Sequence, residues 1–98
     1  MACHHLILNS FKDFLDLIKE REPDFILKTV KCVLNAYKQN KDEIDVFEVD
    51  FQDNTDSLTF SLNKDQYMNL LDNCGKDLIK MEEYELCSQI KKIKQKQI

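Results

Sequence analysis

Ninety-eight residues that are 43% hydrophobic and 33% charged, with a formal net charge of −4, describe one small acidic domain built on a single core. A core of that size leaves no room for a deep substrate cavity as well, and no apolar run approaches the roughly 20 residues of a membrane span. One glycine and one proline argue against long irregular loops and rule out a glycine-rich phosphate loop.

The chain opens Met1-Ala2-Cys3-His4-His5, without the positive and long apolar regions of a secretory leader, so a cytoplasmic location is expected. Leu6-Ile7-Leu8 reads either as a short strand or as an early turn of the first helix. Ser10 with Asp13 three residues on is a capping signal for a helix starting near Phe11. Phe11, Phe14, Leu15 and Ile18 give that helix its apolar stripe, and it should stop before Pro23. Pro23 suits the first turn of a second helix, whose stripe is Ile26, Val30, Val33 and Tyr37 with Leu27 and Leu34 beside it. The short link makes the two an αα-hairpin.

From Phe47 to Leu62 the period changes to two. Phe47, Val49 and Phe51 alternate on one arm and Leu58, Phe60 and Leu62 on the other, around the turn-forming tip Asp53-Asn54-Thr55-Asp56. Pairing Phe51 with Leu58, Val49 with Phe60 and Phe47 with Leu62 places all six on one face, with Phe60 buried at its centre. Asn63 and Gln66 then form a helix-start signature, followed by the stripe Tyr67, Leu70, Leu71 and Cys74. Gly75 reads as a left-handed helix end, with a restart near Asp77 and a last stripe through Leu78, Ile79, Met81, Tyr84, Cys87, Ile90 and Ile93. The expected fold is α+β, a single domain over 1–98: a helical hairpin, a two-stranded antiparallel β-hairpin, then one or two C-terminal helices, in the order α-α-β-β-α-α.

Catalytic chemistry finds little support. Cys3-His4-His5 holds the only two histidines, but neighbouring residues converge poorly on one ion and a frayed N-terminus is the simpler reading, so no metal or cofactor is expected. Cys3, Cys32, Cys74 and Cys87 show no Cys-x-x-Cys spacing, and a disulfide framework is not expected. The acidic tip lacks the glycine of a calcium loop, and Lys64 stands where its bidentate glutamate would be. An enzyme using Cys3 and the histidines ranks last among the readings.

Charge placement says more. Asp42, Glu43, Asp45, Glu48, Asp50, Asp53 and Asp56 fall in one stretch without a base, while the last eight residues carry four lysines and no acid. Lysines suit a helix C-terminus, and four of them on an acidic body argue against nucleic acid as the partner. The expected function is a non-enzymatic, protein-binding module that docks a basic protein surface through Asp45, Glu48, Asp50, Asp53 and Asp56. Its profile is that of a stoichiometric inhibitor of the immunity or phage counter-defence type. The alternative is a dimeric regulator or adaptor that pairs through its amphipathic, lysine-tailed C-terminal helix.

One segment resembles a known motif. Glu82-Glu83-Tyr84-Glu85-Leu86-Cys87-Ser88-Gln89-Ile90-Lys91-Lys92 is similar to the UVR-type helical interaction motif of excision-repair and related proteins. Tyr84, Glu85, Cys87, Ser88, Ile90 and Lys91 fill its places, and Lys92 departs from the expected acid. The similarity spans about a dozen residues and implies at most a helix that contacts other proteins.

Overall fold

The computed structural model describes residues 3–53 and 57–96. Its elements are β1 (His4–Leu8), α1 (Phe11–Glu20), α2 (Pro23–Lys38), β2 (Glu43–Phe51), β3 (Ser57–Asn63), α3 (Tyr67–Lys80) and α4 (Tyr84–Lys96), with a 3₁₀ turn over Lys64–Gln66 leading into α3. The α+β class and the four helices follow the sequence reading, but the sheet has three strands and the order becomes β-α-α-β-β-α-α. β1 lies parallel to β2, with Leu6 opposite Val49 and Leu8 opposite Phe51. Parallel neighbours need a crossover, and the expected helical hairpin supplies it. Five residues, of which only Leu6-Ile7-Leu8 are aliphatic, were too short to declare a strand by period alone.

The helix boundaries show how local signals act. Ser10 caps α1, its Oγ accepting from the Asp13 N–H, and Pro23 takes the first turn of α2. At Asn63 both halves of a capping box form, with the Asn63 N–H donating to Gln66 Oε1 at 3.0 Å. Gly75, in contrast, does not end a helix. α3 runs through it, and no glycine has positive φ. The break falls at Glu82, where φ is 60°. There the Glu82 N–H donates to the Ile79 carbonyl and the Glu83 N–H to the Leu78 carbonyl, the paired bonds of a Schellman end. Asn40 ends α2 the same way, through bonds from Asn40 to Tyr37 and Lys41 to Ala36.

β3 pairs antiparallel with β2, Val49 opposite Leu58 and Phe47 opposite Phe60. That is two residues from the expected register, so the facing pattern survives while the partners change. Below Phe47 the ladder slips by one at a bulge between Asp45 and Phe47, and Ile44 then pairs with Leu62 and Asp45 with Ser61. The bulge resets the alternation. Ile44 and Val46 both join Phe47 and Val49 in the core, and Asp45 turns outward.

The core lies between one face of this sheet and the helices. Val30, Val33, Val46, Val49, Tyr67, Leu71 and Leu78 are fully buried, each aliphatic among them contributing on the order of 1.5–3 kcal/mol before entropy is subtracted. Tyr67 satisfies its hydroxyl by donating to the Lys41 carbonyl at 3.0 Å. The sheet's helix contact runs chiefly from α2 to β2, with α3 beside α2 and α4 beside α3. β3 is less covered, so Phe60 is 37% and Leu58 36% exposed, and the expected burial of Phe60 is corrected accordingly.

From Cys3 onward the chain is tied down rather than frayed. Cys3 and Cys32 form a disulfide with Cα atoms 6.1 Å apart, 29 residues apart in sequence. Neither the bond nor a non-reduced Cys32 was expected, because the partnership exists only once β1 lies in the sheet next to α2. The Cys3 N–H also donates to the Asp45 carbonyl, extending the β1 ladder.

Candidate protein-docking surface

Strand alternation sends His4 and His5 to opposite faces. His4 enters the core side, its ring 5.7 Å from that of Phe25 and 5.6 Å from that of Phe47. Both its nitrogens are buried without a hydrogen-bond partner. Burial, helped by Lys28, holds its pKa below the usual imidazole value. His5 points the other way, and its Nε2 lies 2.7 Å from Asp50 Oδ2. The two rings therefore cannot serve one metal, and among the described residues no three His, Cys, Asp or Glu side chains gather as an ion site. Cys3 and Cys32 carry no free thiol, and burial pushes the Cys74 thiol up.

The face that His5 joins is the one the helices leave uncovered. Register places Asp45, Glu48 and Asp50 of β2 on it, beside Ser57, Thr59 and Ser61 of β3 and Ile7 of β1. Ser61 donates to Asp45 Oδ1 at 2.6 Å, and His5 and Asp50 are each about half exposed. Glu43 adds a fourth acid to β2, and none of the three strands contains a lysine or arginine. Asp53 lies just past β2 in the turn, its N–H donating to the Asn9 carbonyl. Asp56 lies outside the described residues. The sequence reading put Glu48 and Asp50 on the exposed face of a two-stranded hairpin, which would leave β2 with a free edge beside them. β2 is the central strand of the order β1-β2-β3, so these acids project from a face and line no edge. His5 was missed as a member of that face, since its place depends on β1 pairing.

On the opposite side an apolar cleft of about 610 Å³ opens where the helices leave β3 bare. Phe14 and Ile18 of α1, Phe25 of α2, Leu58 and Phe60 of β3 and Leu70 of α3 form its walls. The Phe60 ring stacks on that of Phe47, centroids 4.9 Å apart. Phe11, Leu15 and Ile18 leave α1 with an exposed apolar stripe beside it. Arg21 closes one end. Its Nε donates to both Asp77 oxygens at 2.9 and 3.0 Å and its Nη2 to the Asn73 carbonyl, tying the α1–α2 corner to α3. That bond holds the Asp77 carboxyl below the usual carboxylate range. The link Arg21-Glu22-Pro23 had signalled only a turn.

The segment resembling the UVR motif lies across the α3–α4 turn and the first half of α4. Leu86 and Ile90 are buried there, while Tyr84 is 62% exposed. Among the described residues no helix is long and apolar enough to cross a membrane. No protein-family model matches the chain, and comparison with curated proteins and with solved structures finds no match.

Proposed function

We propose that this domain is a non-enzymatic protein-binding module that engages a basic partner surface through the open face of its sheet. One observation carries the reading. The helices cover one face only, and the uncovered face presents Asp45, Glu48 and Asp50 from a central strand, with no lysine or arginine in any strand and His5 beside them. A face of one sign on a rigid sheet steers an oppositely charged partner and fixes its orientation, which raises the association rate more than it slows dissociation. A stoichiometric inhibitor of the immunity or phage counter-defence type fits this surface.

The alternative, dimerisation through the C-terminal helix, has less surface to work with. Leu86, Ile90 and Ile93 are already buried in the single chain, with α4 packed on α3. Exposed residues of the UVR-like segment, Tyr84, Glu85 and Ser88 among them, would be the contact it retains. The cytoplasmic setting read from the sequence has to accommodate Cys3–Cys32, since such bonds persist in oxidising surroundings. Alkylation of protein taken directly from the host separates the two settings: four modified cysteines mark a reducing compartment, two an oxidising one.

The docking experiment replaces Asp45→Asn, Glu48→Gln, Asp50→Asn and Asp53→Asn together, keeping the hydrogen bonds to Ser61 and His5. Partners captured from the native host are then bound to both forms at a series of salt concentrations. Association of the neutralised form should be slower by about tenfold or more at low ionic strength, and the gap should close as the Debye length falls below about 10 Å. A neutralised form that binds at the wild-type rate in low salt removes the acidic face from the mechanism.

A further inference from the structure

β1 and β3 are the two edges of the sheet; β1 also lacks a proline and a fixed charge but carries His4 and His5. The seven residues of β3, Ser57–Asn63, contain neither an ionisable side chain nor a proline. β2 is its one strand neighbour, so its outer row of N–H and C=O groups has no ladder to join. Edge strands ordinarily carry a lysine, a proline or a bulge that blocks further pairing, and the one bulge in this sheet accommodates Val46 on β2. On a chain with 18 acidic and 14 basic residues, a neutral edge is where two copies can meet without opposing charges. The edge also has a chemical symmetry. Leu58-Thr59-Phe60-Ser61-Leu62 reads aliphatic, hydroxyl, aromatic, hydroxyl, aliphatic in either direction, with Ser57 and Asn63 as polar ends.

We propose that β3 pairs antiparallel with β3 of a second copy about a two-fold axis at Phe60. Phe60 then faces its own image, Leu58 faces the partner's Leu62, and Thr59 faces the partner's Ser61. Each is a cross-strand pair of the kind that stabilises antiparallel sheets, and the interface is isologous, as a closed dimer requires. An unrelated extended peptide would use the same backbone groups, but the symmetry of 58–62 selects a copy of this chain. Leu58 and Phe60, each more than a third exposed, gain cover on the core side. An axis perpendicular to the sheet keeps both helical layers on one side and both acidic faces on the other, giving six strands with one continuous open face. The two β2 strands stand three spacings apart, about 14 Å, beyond the Debye length of about 8 Å at physiological salt. Repulsion between their acids is therefore screened there and felt at low salt.

This pairing does not depend on the acidic face binding a partner. A monomer that still binds a basic protein would defeat the dimer alone, and a dimer whose neutralised form keeps its wild-type association rate would defeat the docking reading alone. The test is sedimentation equilibrium of the whole chain from micromolar to millimolar concentration. The expected result is a species of twice 11.6 kDa, with association weakening as salt is removed. Phe60→Lys sets two ammonium groups opposite each other and should weaken association at least about tenfold, with the far-ultraviolet spectrum preserved. Should that variant fail to fold, cysteine trapping decides. In a Cys87→Ser background, mild oxidation should join two chains of Phe60→Cys and leave Leu58→Cys unjoined, since position 58 lies opposite 62 and far from its own image. A monomer at every concentration, or trapping of Leu58→Cys as readily as Phe60→Cys, overturns the proposal.

Discussion

Reduction of Cys3–Cys32 perturbs the fold at a single defined point. The bond closes a loop between residues separated by 29 in sequence, and in the chain-entropy account a loop of about 30 residues contributes about 3.5 kcal/mol by restricting the unfolded state. A domain of this size shifts its melting temperature by about 4–8 °C per kcal/mol, so reduction should lower it by roughly 14–28 °C. The effect should also be local. β1 is held in the sheet by five register pairs to β2 and by this bond at its start, so hydrogen exchange at Leu6 and Leu8 should accelerate before that at Val30 or Leu71. The assay is thermal denaturation by circular dichroism with and without a phosphine reductant. Alkylation under denaturing conditions should label two cysteines before reduction and four after it. Melting temperatures that agree within a few degrees, with four cysteines alkylated in the reduced sample, would refute the reasoning. The loop would then already be constrained in the unfolded chain, or β1 would contribute nothing to stability.

Three further outcomes follow from particular side chains. Gly75→Ala should stabilise by up to about 1 kcal/mol in urea denaturation, because the position is helical and an added Cβ meets nothing within 4 Å; destabilisation would restore a helix end at Gly75. His4 has a folded pKa below its ordinary value of 6.5, so the unfolded chain binds its proton first and stability should fall as pH drops below about 6.5. His4→Phe should flatten the slope between pH 7 and pH 5, roughly, and an unchanged slope would place its origin elsewhere. Phe60→Ala should cost less than Leu71→Ala, which removes a fully buried side chain and should lose about 2–5 kcal/mol; equal losses would mean that Phe60 is covered after all.

What was legible in the sequence was whatever a short window contains. The Ser10 and Asn63 caps, Pro23 at the start of α2 and the apolar face of the hairpin each depend on residues within a few positions of one another. What was not legible depends on residues far apart. β1 is a strand because β2 lies beside it, and Cys3 meets Cys32 for the same reason. Gly75 misled because a glycine permits a left-handed turn without requiring one. Glu82 takes that conformation while the Ile79 and Leu78 carbonyls are satisfied by the next two N–H groups, a bargain no propensity scale records.

The acidic face shows how fine the dependence can be. Asp45 has the same parity as Phe47, Val49 and Phe51, and unbroken alternation along β2 would drive its carboxylate into the core while turning Ile44 out to water. An unpaired buried carboxylate costs far more than one exposed isoleucine, so a regular strand through 43–51 is disfavoured from the start. Inserting Val46 as a bulge resolves both conflicts, because Ile44 returns to the core and Asp45 reaches Ser61 on the open face. The same residue that completes the core therefore completes the set Asp45, Glu48 and Asp50. Composition placed these acids in one stretch of chain, but it is the bulge that places all three on one side of the sheet, where a single partner surface can meet them.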